Sequence, residues 1–233
     1  MEFLTLDMWG VVLAIVFGVL MLVLGSGLGA FFLLSMIVFL LLSAIVTYTG
    51  IKYKRMLKIG QEPRGIRNVM ANGVPPIIMV VLFYAFDVTG NGQLALLAVI
   101  GFLASVAAIT TDKFSSEIGV LNGTPYSIFS MKRVKKGTSG GITVLGSLAG
   151  LFAAFLVSLL VFFAVRQLYV LNGYHSFGLW KAIALITVSG FIGGLVDSVL
   201  GHYEEKGIGN KFTSNFACGI VAGFVAMALF AVL

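Results

Sequence analysis

An all-α, polytopic membrane protein is the fold class this sequence predicts. Of its 233 residues, 59% are hydrophobic and only 10% charged, against about 45–50% and about 25% in soluble domains. The apolar residues gather in runs close to the roughly 20 that carry a helix across a bilayer. Those runs neither alternate in polarity nor shrink to the length of barrel strands.

Seven spans follow in chain order. Residues 8–24 and 28–48 make the first two, joined by the short GSGL at 25–28. The preceding MEFLTLD is acidic, so the first span is expected to persist rather than be cleaved as a signal peptide. Residues 69–86 form the third, with Pro75–Pro76 expected to kink or break it. Residues 92–110, 141–165, 179–200 and 214–233 form the rest, and the chain reads as one integral membrane domain over 1–233. The single cysteine, Cys218, lies inside the last run, which excludes an internal disulfide and a cysteine metal cluster. His175 and His202 fall in different loops, so any metal would need oxygen ligands.

The loops are charged on one side. Lys52, Lys54, Arg55, Lys58, Arg64 and Arg67 lie before the third span; Lys113, Lys132, Arg133, Lys135 and Lys136 follow the fourth; Lys206 and Lys211 precede the seventh. Only Arg166 and Lys181 fall opposite. This bias puts the three basic loops, and the N-terminus, in the cytoplasm. Basic residues hugging a membrane suit anionic headgroups, so no nucleic-acid partner is expected.

Four polar motifs share that face. RGIRNVMANGVPP (64–76) sets Arg64 and Arg67 at the mouth of the third span, with Asn68 and Asn72 on one helix face. TTDKFSSEIG (110–119) carries Asp112, Ser115, Ser116 and Glu117. Glu117 lies about 140° round a regular helix from Asp112, so the two carboxylates converge only if the helix ends or unwinds between them. VKKGTSGGIT (134–143) places Lys135 and Lys136 before Gly137, Thr138, Ser139, Gly140 and Gly141, then a helix. First-turn amides, the helix dipole and ammonium groups all favour an anion there, although the order of residues is not that of a Walker A loop. GFIGGLVDSVLGHYEEKG (190–207) puts Asp197 inside a span, and an intramembrane carboxylate marks a functional site by default. Asp197, Ser198 and Gly201 faintly echo Asp112, Ser115–Ser116 and Gly119, and Thr213–Ser214–Asn215 read as a cap-like start to the last helix. Basic loops facing carboxylates make sense around a metal–polyphosphate.

The stretches at 64–73, 111–119, 134–143, 193–201 (GGLVDSVLG) and 213–219 (TSNFACG) together resemble an integral membrane family that includes the phytyl-phosphate kinases of tocopherol synthesis, with archaeal and animal members. The resemblance runs from about residue 25 to the end. Where plant members carry a Trp-containing acidic motif, this chain has Lys113 and Phe114. The resemblance implies a CTP-preferring kinase that converts an isoprenyl monophosphate, phytyl or geranylgeranyl, to its diphosphate.

On that reading Asp112, Glu117 and Asp197 hold one or two Mg²⁺ ions. Lys135, Lys136, Gly137, Thr138, Ser139 and Gly140 hold nucleotide phosphate, with Ser116, Ser198 and Asn215 contributing. Arg64, Arg67, Asn68 and Asn72 stabilise and orient the transferring or acceptor phosphate. CTP or another nucleoside triphosphate, the lipid phosphate and the membrane are the expected partners, and a homo-oligomer is left open. The expected location is the cell membrane, with the active site facing the cytoplasm. Two alternatives stand beside this. Secondary transporters also use broken helices and an intramembrane acid, and a lipid cytidylyltransferase would release pyrophosphate from CTP.

Overall fold

The computed structural model describes residues 5–57, 59, 65–164 and 178–232. Among these residues six helices are long and apolar enough to cross a membrane, and a seventh, shorter one precedes them. Arg64, Lys58, Arg166 and His175 lie outside the described residues.

Helix α1 (Met8–Leu24) starts where the Gly10 amide donates to Asp7 Oδ1 at 2.6 Å. Its 17 residues rise about 25 Å, the low end of what spans a bilayer. A 3₁₀ turn, Ser26–Leu28, then reverses the chain into α2 (Gly29–Tyr48). Glycine makes this turn fit: a Cβ on Gly25 would stand 2.4 Å from Gly29 Cα, and one on Gly29 2.6 Å from Leu22 O. The short α3 (Ile51–Met56) follows Gly50, whose φ is +67°.

Helix α4 (Ile66–Val88) runs unbroken through Pro75 and Pro76. The helix does not break there. A Cβ on Gly219 would come within 2.7 Å of Pro75 Cβ, so the proline ring sits in a notch made for it. Helix α5 (Gly92–Gly119) is the central post, with every residue from Ala98 to Thr111 buried. It packs against α2, α4, α6 (Val144–Ser158, with the span reaching Ala164), α7 (Leu179–Glu204) and α8 (Lys211–Val232). Phe31, Phe32, Phe83 and Phe102 fill the core between α2, α4 and α5, with Phe32 and Phe102 centroids 4.7 Å apart. On the other side small residues bring backbones close. A Cβ on Gly193 would sit 2.5 Å from Ala108 Cβ, and one on Gly194 2.4 Å from Thr111 Cγ2.

Several helices run past their expected limits. Helix α5 stays helical to Gly119, α7 reaches Glu204, and α8 begins at Lys211. Thr213–Ser214–Asn215 therefore sit near the start of α8 but inside it. Its cap is Asn210, whose Oδ1 accepts from the Phe212 amide at 2.9 Å. The Gly-rich loop does not open α6 directly either. A two-residue ribbon intervenes, β1 (Tyr126–Ser127) against β2 (Gly141–Ile142), and Thr143 then caps α6 through the Gly146 amide at 3.0 Å.

Candidate functional site

The polar motifs meet at one end of the bundle. The α5–α7 crossing causes the central encounter. Gly194 lets α7 lie against Thr111, which places Asp197, three residues on, beside Asp112. Lys211, at the start of α8, reaches between them. Its Nζ is 2.9 and 2.8 Å from the two Asp197 oxygens and 3.5 Å from Asp112 Oδ1. The carboxylate side chains are 12% exposed at Asp112 and 9% at Asp197. Two nearly sealed anions thus share one ammonium. Sequence alone counts Lys211 only as a basic loop residue and leaves it out of the site. Two acids buried in apolar spans need a cation, and the first turn of the last helix supplies it.

Glu117 does not join them. Because α5 stays helical, Glu117 faces away and pairs with Lys54 at 2.7 Å and with Lys113, while Thr47 Oγ1 donates to it at 3.2 Å. Lys54, itself buried, also donates to Val46 O at 3.0 Å. This network ties α3 and α2 to α5. Among the described residues no group of three or more His, Cys, Asp or Glu converges as a metal site would, so the three-carboxylate arrangement reduces to Asp112 and Asp197.

A cleft of about 250 Å³ opens on one side of the Asp112–Lys211–Asp197 cluster. Ser116, Lys136, Gly137, Thr138, Ser139, Gly140 and Ser198 line it with those three residues. Lys135 is exposed and is not among the lining residues. Lys136 Nζ donates to Tyr53 Oη at 2.8 Å and to Val120 O at 3.1 Å. The Ser139 amide donates to Glu205 Oε1 at 2.8 Å, and its hydroxyl to Glu204 Oε2 at 3.3 Å. Acidic side chains therefore engage the loop donors that an anion would use. Ser116 and Ser198 Oγ donate to carbonyls of their own helices, Lys113 O and Gly194 O. Gly119 packs against Thr143 and Gly146, and Gly201 against Gly140.

Gly140 is the tightest point of the loop, with φ +72° and a built Cβ 2.6 Å from both Ser198 O and His202 N. Gly140→Ala is expected to lower stability by about 1–2 kcal/mol from the left-handed backbone alone, with the backbone clash adding to it. Thermal unfolding of the detergent-solubilised protein reads this directly.

A small chamber of about 80 Å³ shares Asp112, Ser116 and Lys211 with this cleft. Asn68, Asn72 and Asn215 line it as well. Asn72 Nδ2 donates to Asn68 O at 2.8 Å, and Asn215 Nδ2 to Asn72 Oδ1 at 3.5 Å. Asn215 Oδ1 is buried with no hydrogen-bond partner among the described residues, as expected where a ligand or water completes the site. Arg67 is exposed at the mouth, lining a depression with Asn68, Asn210 and Lys211.

The integral membrane protein family DUF92 matches residues 2–219. This chain belongs to that family. An uncharacterized membrane protein of Methanocaldococcus jannaschii is 35% identical over 205 residues, spanning 87% of this chain and 77% of that protein. Protein PGR of Arabidopsis thaliana is 31% identical over 182 residues, 71% of this chain and 62% of that protein. The chloroplastic protein VTE6 of Arabidopsis thaliana is 32% identical over 96 residues, 41% of this chain and 28% of that protein. No solved structure matches. The phytyl-phosphate kinase-like membrane family to which the motifs pointed is thus supported, and the DUF92 match extends the likeness over α1.

Proposed function

We propose that this DUF92 protein is a nucleotide-dependent kinase that converts an isoprenyl monophosphate to its diphosphate at the basic face of the membrane. One observation carries the reading: Asp112, Ser116 and Lys211 line two compartments at once, the loop cleft and the asparagine chamber. A donor and an acceptor phosphate held in the two would meet at a shared charged partition.

In this reading CTP lies in the cleft with its phosphates on the loop of Lys136, Thr138 and Ser139, while the lipid phosphate lies among Asn68, Asn72 and Asn215. An acceptor oxygen attacks the γ-phosphorus of CTP; the new P–O bond forms as the β–γ bridging bond breaks, and CDP leaves with that bridging oxygen. The acceptor is ionised near neutral pH, its second pKa being about 6, so no general base is required. Phosphoryl transfer depends on positioning and charge neutralisation. Lys211 and Lys136 supply positive charge on the cleft side, and Arg67 at the chamber mouth. Asp112 and Asp197 fit Mg²⁺, which takes one or two carboxylates alongside substrate phosphates; bound there it would neutralise polyphosphate charge. The side-chain amides orient the acceptor, and the orphaned Asn215 oxygen gains a partner. The bias of basic loops supports a cytoplasmic location for this face, in a cell membrane.

The test is turnover. Purified protein with Mg²⁺, CTP and a C20 isoprenyl monophosphate should yield isoprenyl diphosphate and CDP in equal amounts. Pyrophosphate release would make it a cytidylyltransferase. Absence of turnover with every nucleotide and isoprenyl phosphate would leave a transporter. Within the kinase reading, Glu205→Gln should lower the KM for CTP about fivefold, since the carboxylate on the Ser139 amide competes with phosphate for a bond worth about 1 kcal/mol. Initial rates across a CTP series measure it.

A further inference from the structure

We propose that the apolar groove between α1, α2 and α4 is the binding site for the isoprenyl tail. This rests on the kinase reading for the identity of the ligand. The groove encloses about 370 Å³, and Asn68 is the single polar side chain among its lining residues. It does not end blindly at the basic face. Asn68 and Phe39 line both the groove and the chamber beside Asp112 and Lys211. A molecule with a phosphate in the chamber would therefore pass its chain between Phe39 and Asn68 into the groove.

Depth and shape fit such a chain. From Val11 to Leu22 the α1 wall descends about 16 Å, close to the roughly 15 Å of one leaflet's hydrocarbon. Just beyond Leu22, α1 and α2 converge at the Gly25–Gly29 turn, where a Cβ on Gly29 would meet Leu22 O at 2.6 Å. The groove thus has a floor, and its length sets an upper limit on the chain. Glycines shape its walls. Gly73 makes room for the Phe17 ring, which would stand 2.5 Å from a Cβ there, and Gly18 for Leu33 at 3.0 Å.

Photo-crosslinking and chain-length kinetics test this together. The full chain, in phosphatidylcholine nanodiscs, is irradiated with a C20 isoprenyl monophosphate carrying a diazirine at its tail end. Adducts are expected on the lower groove, around Leu22 and Leu33, and should vanish with excess unlabelled isoprenyl monophosphate. In parallel, Ala14→Phe, which places a ring in the groove, should raise the KM for the C20 substrate about tenfold. Its KM for a C5 isoprenyl monophosphate should rise much less. Adducts on the exposed face of α6 around Phe152 and Phe155 would overturn the proposal. So would adducts that extra phosphatidylcholine displaces equally well, or an equal rise in KM for both chain lengths. Failure of the kinase reading shows separately, as absence of nucleotide-dependent turnover in a protein that still crosslinks.

Discussion

Asp197→Asn is expected to abolish turnover, by at least about 100-fold, while leaving the protein as stable as before or slightly more so. The reason is the charge count at the α5–α7 crossing. Asp112 and Asp197, both nearly sealed from solvent, share the ammonium of Lys211. Replacing one carboxylate with an amide of the same shape turns two anions and one cation into a balanced pair, and removes like-charge repulsion. The substituted amide cannot, however, offer an anionic oxygen to a Mg²⁺–nucleotide. Melting temperature and CDP release, measured on the same preparation, separate the two effects. A large fall in melting temperature would make Asp197 a structural anchor instead.

Lys211→Met should act in the opposite sense on stability. It strips the shared cation from two buried carboxylates. Leaving a buried charge unpaired costs about 3–5 kcal/mol in sealed sites. The Lys211 side chain is 52% exposed, so water softens the loss, and about 2 kcal/mol is expected. The variant should recover stability in millimolar Mg²⁺, because a dication can occupy the place of the ammonium between Asp112 and Asp197; the wild-type protein should shift much less. Thermal unfolding with and without Mg²⁺ checks this. If Mg²⁺ restores no stability to Lys211→Met, the two carboxylates do not hold the metal. Turnover of Lys211→Met should stay low even with Mg²⁺, since the cation facing the partition between donor and acceptor is gone.

The six long apolar helices and the shorter one before them were legible in the sequence because bilayer thickness imposes their length, and the polar face because four motifs carried its charge. Helix ends were harder. Polar residues such as those of 112–119 and 211–214 lower local hydropathy, so the apolar runs stop where the helices continue. That difference had a consequence at the site. A helix ending near 110 permits Glu117 to turn towards Asp112, whereas the intact α5 sends it to Lys54 and Lys113. The role of Lys211 was hidden for another reason. Pairing with Asp197, 14 positions earlier, and with Asp112, 99 earlier, depends on three helices crossing, and spacing along the chain does not encode that. That the proline pair would leave the helix unbroken was hidden in the same manner, because the notch at Gly219 that accommodates Pro75 lies on another helix.

The burial of α5 on every side bears on how the protein is made. Helices emerge from the ribosome in chain order, N-terminal first. When α5 enters the membrane, three of the helices that finally enclose it, α6, α7 and α8, have yet to be synthesised. Its apolar length suffices for insertion alone, but Asp112 then waits without its cation. Asp197 arrives next and adds a second anion. Only the last helix brings Lys211. A chain stalled before residue 211 carries two uncompensated acids in its spans, a mark by which membrane proteases could tell an unfinished molecule from a complete one.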